Sequence, residues 1–254
     1  MSELSMDPNK SKIAILIDGD NAQPSLIEKM LSEVAKYGLV TIRRIYGDWT
    51  KPKLSGWKDT LNLNAIQPIQ QFRYTIGKNA TDSAMIIDAM DILHEKSVDG
   101  FCLVSSDSDY TRLATRIRET GIFVMGIGEK KTPKAFVNGC NVFVYTENLT
   151  PKEKEVKSKS KIGKTVEKKK TNKKSDESEP IPILKKAFEM AVREDGWANL
   201  AEMGTQLRKL DPGFDPRTFG YKQLSQLIKA HPEIFEIRTQ NKSGISAPFI
   251  RIKE

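Results

Sequence analysis

The stretch that decides the fold is KIAILIDGD, residues 12–20, in which five consecutive apolar residues run into two acids. A continuous apolar run of this length is typical of a parallel strand buried on both faces of a sheet. The next stretch, PSLIEKMLSEVAKYG, residues 24–38, has apolar residues at helical spacing, a proline near its start and a glycine at its end. These features predict a helix. A strand, a loop and a helix in this order predict the first unit of an α/β sheet.

Strand and helix patterns alternate from this point to residue 149. Pro68 lacks a backbone donor, so its strand is expected at a sheet edge, and Thr81 is expected to cap the middle helix. The alternation predicts a parallel α/β sheet covered by helices on both faces. The further predicted strands are VTIRRIYGD (40–48), AIQPIQQFR (65–73), DGFCLVSSDSD (99–109), IFVMGIG (122–128) and NVFVYTE (141–147), and the helices are TDSAMIIDAMDILHEK (81–96) and YTRLATRIRETG (110–121).

Composition divides the chain into three parts. We expect residues 11–149 to form the α/β domain and residues 150–179, which lack apolar periodicity, to form a disordered lysine-rich linker. This linker is either a solvated spacer or a non-specific tether for phosphates. In residues 180–254, three amphipathic patterns, the last being FGYKQLSQLIKAHPE (219–233), precede two short strands around the turn NKSG. Three helices and a β-hairpin predict a small winged-helix-like α+β domain.

Bulk composition narrows the protein class. The two cysteines, Cys102 and Cys140, belong to no CxxC or Cys/His cluster, which excludes a zinc-finger or disulfide scaffold and fits a reducing compartment. The amino terminus is polar, and no apolar run approaches the roughly 20 residues of a membrane helix. We therefore expect a soluble cytoplasmic protein without membrane association.

The net charge of +8 is unevenly distributed. Residues 1–150 carry 18 basic and 18 acidic side chains, whereas residues 151–179 carry 11 lysines against 6 acids, and residues 180–254 carry 12 basic against 9 acidic side chains. A neutral first domain does not attract polyanions through its overall field. It needs a cation or a basic accessory element to do so.

Five aspartates follow strand ends or open a helix in the first domain. Ligands of parallel α/β sheets bind beyond the carboxyl ends of strands, so these acids are expected to meet there. Carboxylates suit Mg²⁺ or Mn²⁺, which relieves their mutual repulsion and activates water at a phosphodiester. Taken singly, each of them is more readily explained as a turn residue or a helix cap, and it is the set that favours a metal site. The five are Asp18, Asp20, Asp82, Asp107 and Asp109.

Two other acids receive structural interpretations. Asp48 also ends a strand and is either a further ligand or, as we favour, a turn residue. Asp88 lies off the face of the helix that carries Asp82, and we interpret it as a helix-surface acid.

Three motifs in this order, IDGDN (17–21), TDSAMIIDAM (81–90) and SSDSDY (105–110), resemble the NYN domains, PIN-like nucleases related to the bacterial LabA-like proteins. The resemblance covers roughly residues 11–148. It implies a divalent-metal site for RNA cleavage with Asp18, Asp82 and Asp107 as the catalytic core. Asp20 and Asp109 are then further ligands or orienting residues.

The same resemblance assigns roles to three polar residues. Asn21 matches the polar residue of the first motif. Ser105 and Ser106 lie where their hydroxyl and backbone N–H groups are expected to hold phosphate or a ligating carboxylate.

The C-terminal stretch DPGFDPRTFGYKQLSQLIKAHPEIFEI, residues 211–237, resembles the OST-HTH (LOTUS) domain. This resemblance implies RNA binding, of single-stranded or structured RNA, and some members of the family also bind proteins. From the residues alone, Arg217, Tyr221 and Lys222 at the start of the expected third helix are candidates for phosphate contact and base stacking. Ordinary exposed polarity, or reading of a DNA groove by the winged helix, remains open from the same residues.

Two functional hypotheses result. In the first, the NYN domain is a metal-dependent endoribonuclease, and the LOTUS domain and the linker capture RNA. In the second, the acids are structural and the protein is a non-catalytic RNA-binding adaptor.

Overall fold

The described part of the chain folds around two separate sheets. The computed structural model describes residues 6–72, 80–150, 179–242 and 245–253. The predicted linker and the tip of the C-terminal hairpin therefore lie largely outside the described residues.

The first sheet has six strands, and every neighbouring pair is parallel. The order β3-β2-β1-β4-β5-β6 confirms the predicted parallel α/β sheet and places the strand with Pro68 at an edge. The strands are β1 (Lys12–Asp18), β2 (Leu39–Gly47), β3 (Gln67–Gln70), β4 (Gly100–Val104), β5 (Phe123–Gly128) and β6 (Val142–Tyr145).

Within the described residues, five helices cover this sheet. Thr81 does not cap the middle helix as predicted, because the helix begins at Ala80 and the Thr81 side chain is buried in its first turn. Two short helices were not predicted, since neither is long enough to show helical periodicity. The helices are α1 (Ile27–Val34), α2 (Lys58–Leu63), α3 (Ala80–Glu95), α4 (Thr111–Glu119) and α5 (Lys134–Gly139). Across the described segments, no helix has the length and apolar character needed to span a membrane.

Alternate residues of β1 enter two different cores. Ile13, Ile15 and Ile17 pack with α1 and Trp57, whereas Ala14 and Leu16 pack with α3 and α4 on the opposite face. Burial on both faces explains the continuous apolar run in the sequence. It also fixes the sheet rigidly and leaves the carboxyl ends of its strands as the place where polar groups can gather.

The C-terminal unit combines three helices with an antiparallel sheet. The third helix is shorter than predicted, because a 3-10 turn at Pro216–Phe219 ends at Gly220, whose φ of +86° glycine adopts readily. The helices are α6 (Ile181–Ala191), α7 (Leu200–Leu210) and α8 (Leu224–Lys229), and the strands, in the order β7-β9-β8, are β7 (Ala198–Asn199), β8 (Phe235–Lys242) and β9 (Ile245–Ile252). The small α+β domain is thereby confirmed, with β7 as an added strand.

Candidate metal centre and domain contact

Three carboxylates meet at the carboxyl edge of the first sheet. Asp82 comes from the first turn of α3, and Asp107 and Asp109 come from the loop after β4. One oxygen from each lies within 4.8 Å of the others. Asp109 is exposed and the other two are half-buried, so the group is open to solvent on one side. Three converging carboxylates have the hard-oxygen chemistry that Mg²⁺ and Mn²⁺ require.

Asp18 lies beside this group rather than within it. Its carboxylate is only 1% exposed and accepts hydrogen bonds from Asn21 Nδ2 at 2.6 Å, Ser105 Oγ at 2.9 Å and the backbone N–H of Asp20 at 3.1 Å. Burial raises the pKa of Asp18, the hydrogen bonds oppose this rise, and the negative charge of Asp82 adds to it.

Ser105 connects the ends of two strands. Its buried hydroxyl donates to Asp18 and accepts from the backbone N–H of Asp107 at 3.1 Å. The hydroxyl of Ser106 accepts from the backbone N–H of Glu129 at 2.8 Å. Of the two roles expected for these serines, the structure places Ser105 on a carboxylate.

Glycine at position 19 is required by the close approach of two strands. A Cβ there would lie 2.8 Å from the carbonyl oxygen of Tyr46, too close for any other residue without a backbone shift. The glycine thus lets β1 end with Asp18 against the neighbouring strand.

Tyr110 is a site residue that the sequence reasoning missed. Its ring is fully buried, and its hydroxyl donates a hydrogen bond to Asp82 Oδ1 at 2.8 Å. Burial raises the pKa of Tyr110, and the charges of Asp18 and Asp82 raise it further, so the hydroxyl remains a donor. The available signal was its position directly after Asp109, where α4 begins.

Two neighbouring acids are held by other partners. The prediction that Asp88 is a surface acid is wrong, because its partly buried carboxylate accepts hydrogen bonds from Arg44 and Tyr46. Asp48 is 5% exposed and accepts from Thr50 Oγ1 at 2.6 Å, the geometry of a turn residue.

Asp20 lies outside the three-carboxylate group. Its backbone carbonyl accepts a hydrogen bond from Lys53 Nζ at 2.7 Å. This bond joins the end of β1 to the 3-10 turn at Pro52–Trp57.

Arg217 connects the two domains. Its guanidinium donates to both carboxylate oxygens of Glu33 on α1, at 2.7 and 3.3 Å, and also pairs with Asp215. The backbone N–H of Phe143, on edge strand β6, donates to the carbonyl oxygen of Pro212 at 2.7 Å. The loop between α7 and α8 is therefore docked on the first domain.

The other two predicted contact residues lie just before α8. Tyr221 is partly buried against the core of the C-terminal domain, and Lys222 is exposed. Both precede α8, which begins at Leu224, so they do not form its first turn as predicted.

Comparisons with known proteins agree with this architecture. Residues 12–149 match the NYN domain and residues 172–247 match the OST-HTH/LOTUS domain. A search among curated proteins finds no match to the sequence.

Several solved structures are similar to parts of the chain. A protein of unknown function from Vibrio parahaemolyticus is 21% identical, with a TM-score of 0.45, over 57% of this chain and 95% of its own. An uncharacterized protein from Nitrosomonas europaea is 31% identical over 37% of this chain and 93% of its own, with a TM-score of 0.28. A protein from Chromobacterium violaceum is 32% identical over 30% of this chain and 84% of its own, with a TM-score of 0.26. Since the NYN match covers more than half of the chain and coincides with the parallel sheet and its acidic edge, the chain belongs to the NYN domain family and carries an OST-HTH/LOTUS domain at its C-terminal side.

Proposed function

We propose that the protein is a divalent-metal-dependent endoribonuclease. The observation that carries the proposal is the convergence of Asp82, Asp107 and Asp109 within 4.8 Å at the carboxyl edge of a PIN-like sheet. NYN domains are generally nucleases, and LOTUS domains bind RNA, so family membership supports the same substrate class.

The donor set fits a hard divalent cation. Asp82, Asp107 and Asp109 would hold Mg²⁺ or Mn²⁺, and Asp18 and Asp20 of the first motif are further candidate ligands. When bound, the ion would supply Lewis-acid activation of water and offset charge on the phosphodiester.

Hydrogen bonds from neighbouring side chains would keep the acids oriented. Tyr110 restrains Asp82, while Asn21 and Ser105 restrain Asp18. Ligands fixed in this way lose little freedom when the site forms, which favours tight and specific coordination.

RNA capture is assigned to the basic parts of the chain. The first 150 residues are neutral, so the lysine-rich linker and the LOTUS domain supply the attraction for phosphates. Tyr221 and Lys222 offer a ring and a cation at one place. Arg217 would join them only after its pairs with Glu33 and Asp215 open.

The test is incubation of the purified full chain with end-labelled single-stranded and structured RNA, and with DNA of the same sequence. We expect internal RNA cleavage with Mn²⁺ or Mg²⁺ and none in EDTA. RNA that is retained but stays intact with either metal would instead identify a non-catalytic adaptor. Cleavage that survives EDTA would overturn the metal mechanism.

A further inference from the structure

An open groove lies beside edge strand β3, two strands from β1. It has a volume of about 1010 Å³ and is formed by the residues after β2, the 3-10 turn at Pro52–Trp57, α2 and β3. Its floor is apolar, because the buried residues Leu54, Leu61 and Ile66 line it. The metal site does not use these residues.

Trp49 is a rigid wall of the groove. Its indole Nε1 donates to the carbonyl oxygen of Ile69 at 3.0 Å, and its backbone N–H donates to Gln70 Oε1 at 3.0 Å. Both bonds tie the residue to β3, yet the side chain stays half-buried and lines the groove. With the indole N–H already occupied, the ring offers its apolar surface, and its fixed position lowers the entropic cost of stacking.

Two lysines stand beside this wall, and one of them, Lys51, has its Nζ 4.0 Å from the buried carboxylate of Asp48. Lys51 and Lys58 line the groove, and none of its thirteen described lining residues is an acid. Lys53, from the same turn, donates to the backbone carbonyl of Asp20. This bond ties the turn that forms the groove to the motif that ends β1.

We propose that this groove binds unpaired nucleotides of an RNA strand, with a base stacked on Trp49 and phosphates near Lys51 and Lys58. Aromatic walls stack bases of any sequence, and lysines complement phosphates. A duplex hides the faces of its bases, so the strand must be unpaired where it enters. The nature of the ligand follows from the groove, while the fate of the bound strand rests on the proposed nuclease function.

The experiment is photo-crosslinking of the full chain, in EDTA, to a short single-stranded RNA containing thiouridine, with the crosslinked peptide mapped by mass spectrometry. We expect crosslinks within residues 49–58. Trp49→Ala should reduce crosslinking of this segment by about 5- to 150-fold, the equivalent of losing one base stack. Trp49→Phe should retain much of the yield. Leu63→Ala is the matched control, because Leu63 is 80% exposed on α2 but does not line the groove.

The outcomes separate the two proposals. If RNA crosslinks to residues 49–58 but is not cleaved in Mn²⁺, the proposal of RNA binding by the groove stands and the proposed nuclease function is wrong. The groove proposal is wrong if RNA is cleaved but does not crosslink to this segment. It is also wrong if the wild type and a folded Trp49→Ala variant give equal crosslinking yields there. Equal crosslinking of this segment to a fully paired RNA overturns it as well.

Discussion

Replacing Asp107 by asparagine is expected to abolish the thermal stabilisation that Mn²⁺ gives the protein and to lower RNA cleavage by at least ~100-fold. The substitution removes one of three charges that converge within 4.8 Å. Metal ions supply several kcal/mol of transition-state stabilisation, and each 1.36 kcal/mol corresponds to about a tenfold change in rate. An ion at about 100 times its Kd raises the free energy of unfolding by about 2.7 kcal/mol, which a melting curve detects easily.

The matched control for this prediction is Asp91→Asn. Asp91 is an exposed acid on α3, the helix that carries Asp82, but it does not belong to the converging group. The Asp91→Asn variant should have the melting temperature and the RNA cleavage rate of the wild type, and Mn²⁺ should stabilise both proteins equally. An Asp107→Asn variant that keeps both the Mn²⁺ shift and the cleavage rate would place the metal elsewhere.

Reversing the charge of Glu33 or of Arg217 is expected to release the C-terminal domain from the first domain. The two side chains form a bidentate ion pair, in which 11% of the Glu33 side chain and 29% of the Arg217 side chain are exposed. Hydrogen bonds between charged groups contribute about 1.5–3 kcal/mol, so losing them should weaken docking by roughly 10- to 150-fold. Small-angle X-ray scattering should show a larger radius of gyration for Glu33→Arg and for Arg217→Glu.

Combining the two reversals is the decisive control. The variant with Glu33→Arg and Arg217→Glu restores opposite charges across the contact and should recover part of the compact form, although Asp215 then faces a like charge. Glu28→Arg makes the same charge change at an exposed position of α1 and should leave the scattering unchanged. A radius of gyration that is the same in all four variants would show that this pair does not hold the domains together.

The same pair predicts the effect of pH on docking. Burial alone would raise the pKa of Glu33, but hydrogen bonds from Arg217 and Lys36 outweigh it and bring the pKa below the ordinary 4.5. A carboxyl whose pKa is depressed stabilises the folded state above its unfolded pKa, and the contribution disappears as pH falls through the lower value. Docking should therefore be constant near neutral pH and weaken only below about pH 4.5.

The parallel sheet was predictable because its signals are local. The apolar run before Asp18 reflects burial on both faces, and Pro68 indicates an edge because it cannot donate to a neighbouring strand. The segment between β2 and β3 was missed, since it forms only a short 3-10 turn and a six-residue helix. The Trp49 groove could not be anticipated without that segment.

Contacts between distant residues also escaped prediction. Ser105 meets Asp18 across 87 residues, and Arg217 meets Glu33 across 184. The hydrophobic pattern of the sequence does not indicate such pairs, because each depends on how two strand ends or two domains come together. Arg217 was therefore predicted to contact RNA, whereas its guanidinium is held by two carboxylates in the docked arrangement.

The central claim, that Asp107 coordinates the metal that acts in RNA cleavage, is tested most directly by a change of metal preference. Cysteine in place of Asp107 exchanges a hard oxygen for a soft sulfur, which binds Cd²⁺ far better than Mg²⁺. The measurement is the rate of RNA cleavage by wild-type and Asp107→Cys protein with each ion. We predict that the variant loses its activity with Mg²⁺ and regains it with Cd²⁺, so that the ratio of the two rates inverts relative to the wild type. A ratio equal to that of the wild type would contradict the account, since the side chain at position 107 would then not contact the metal.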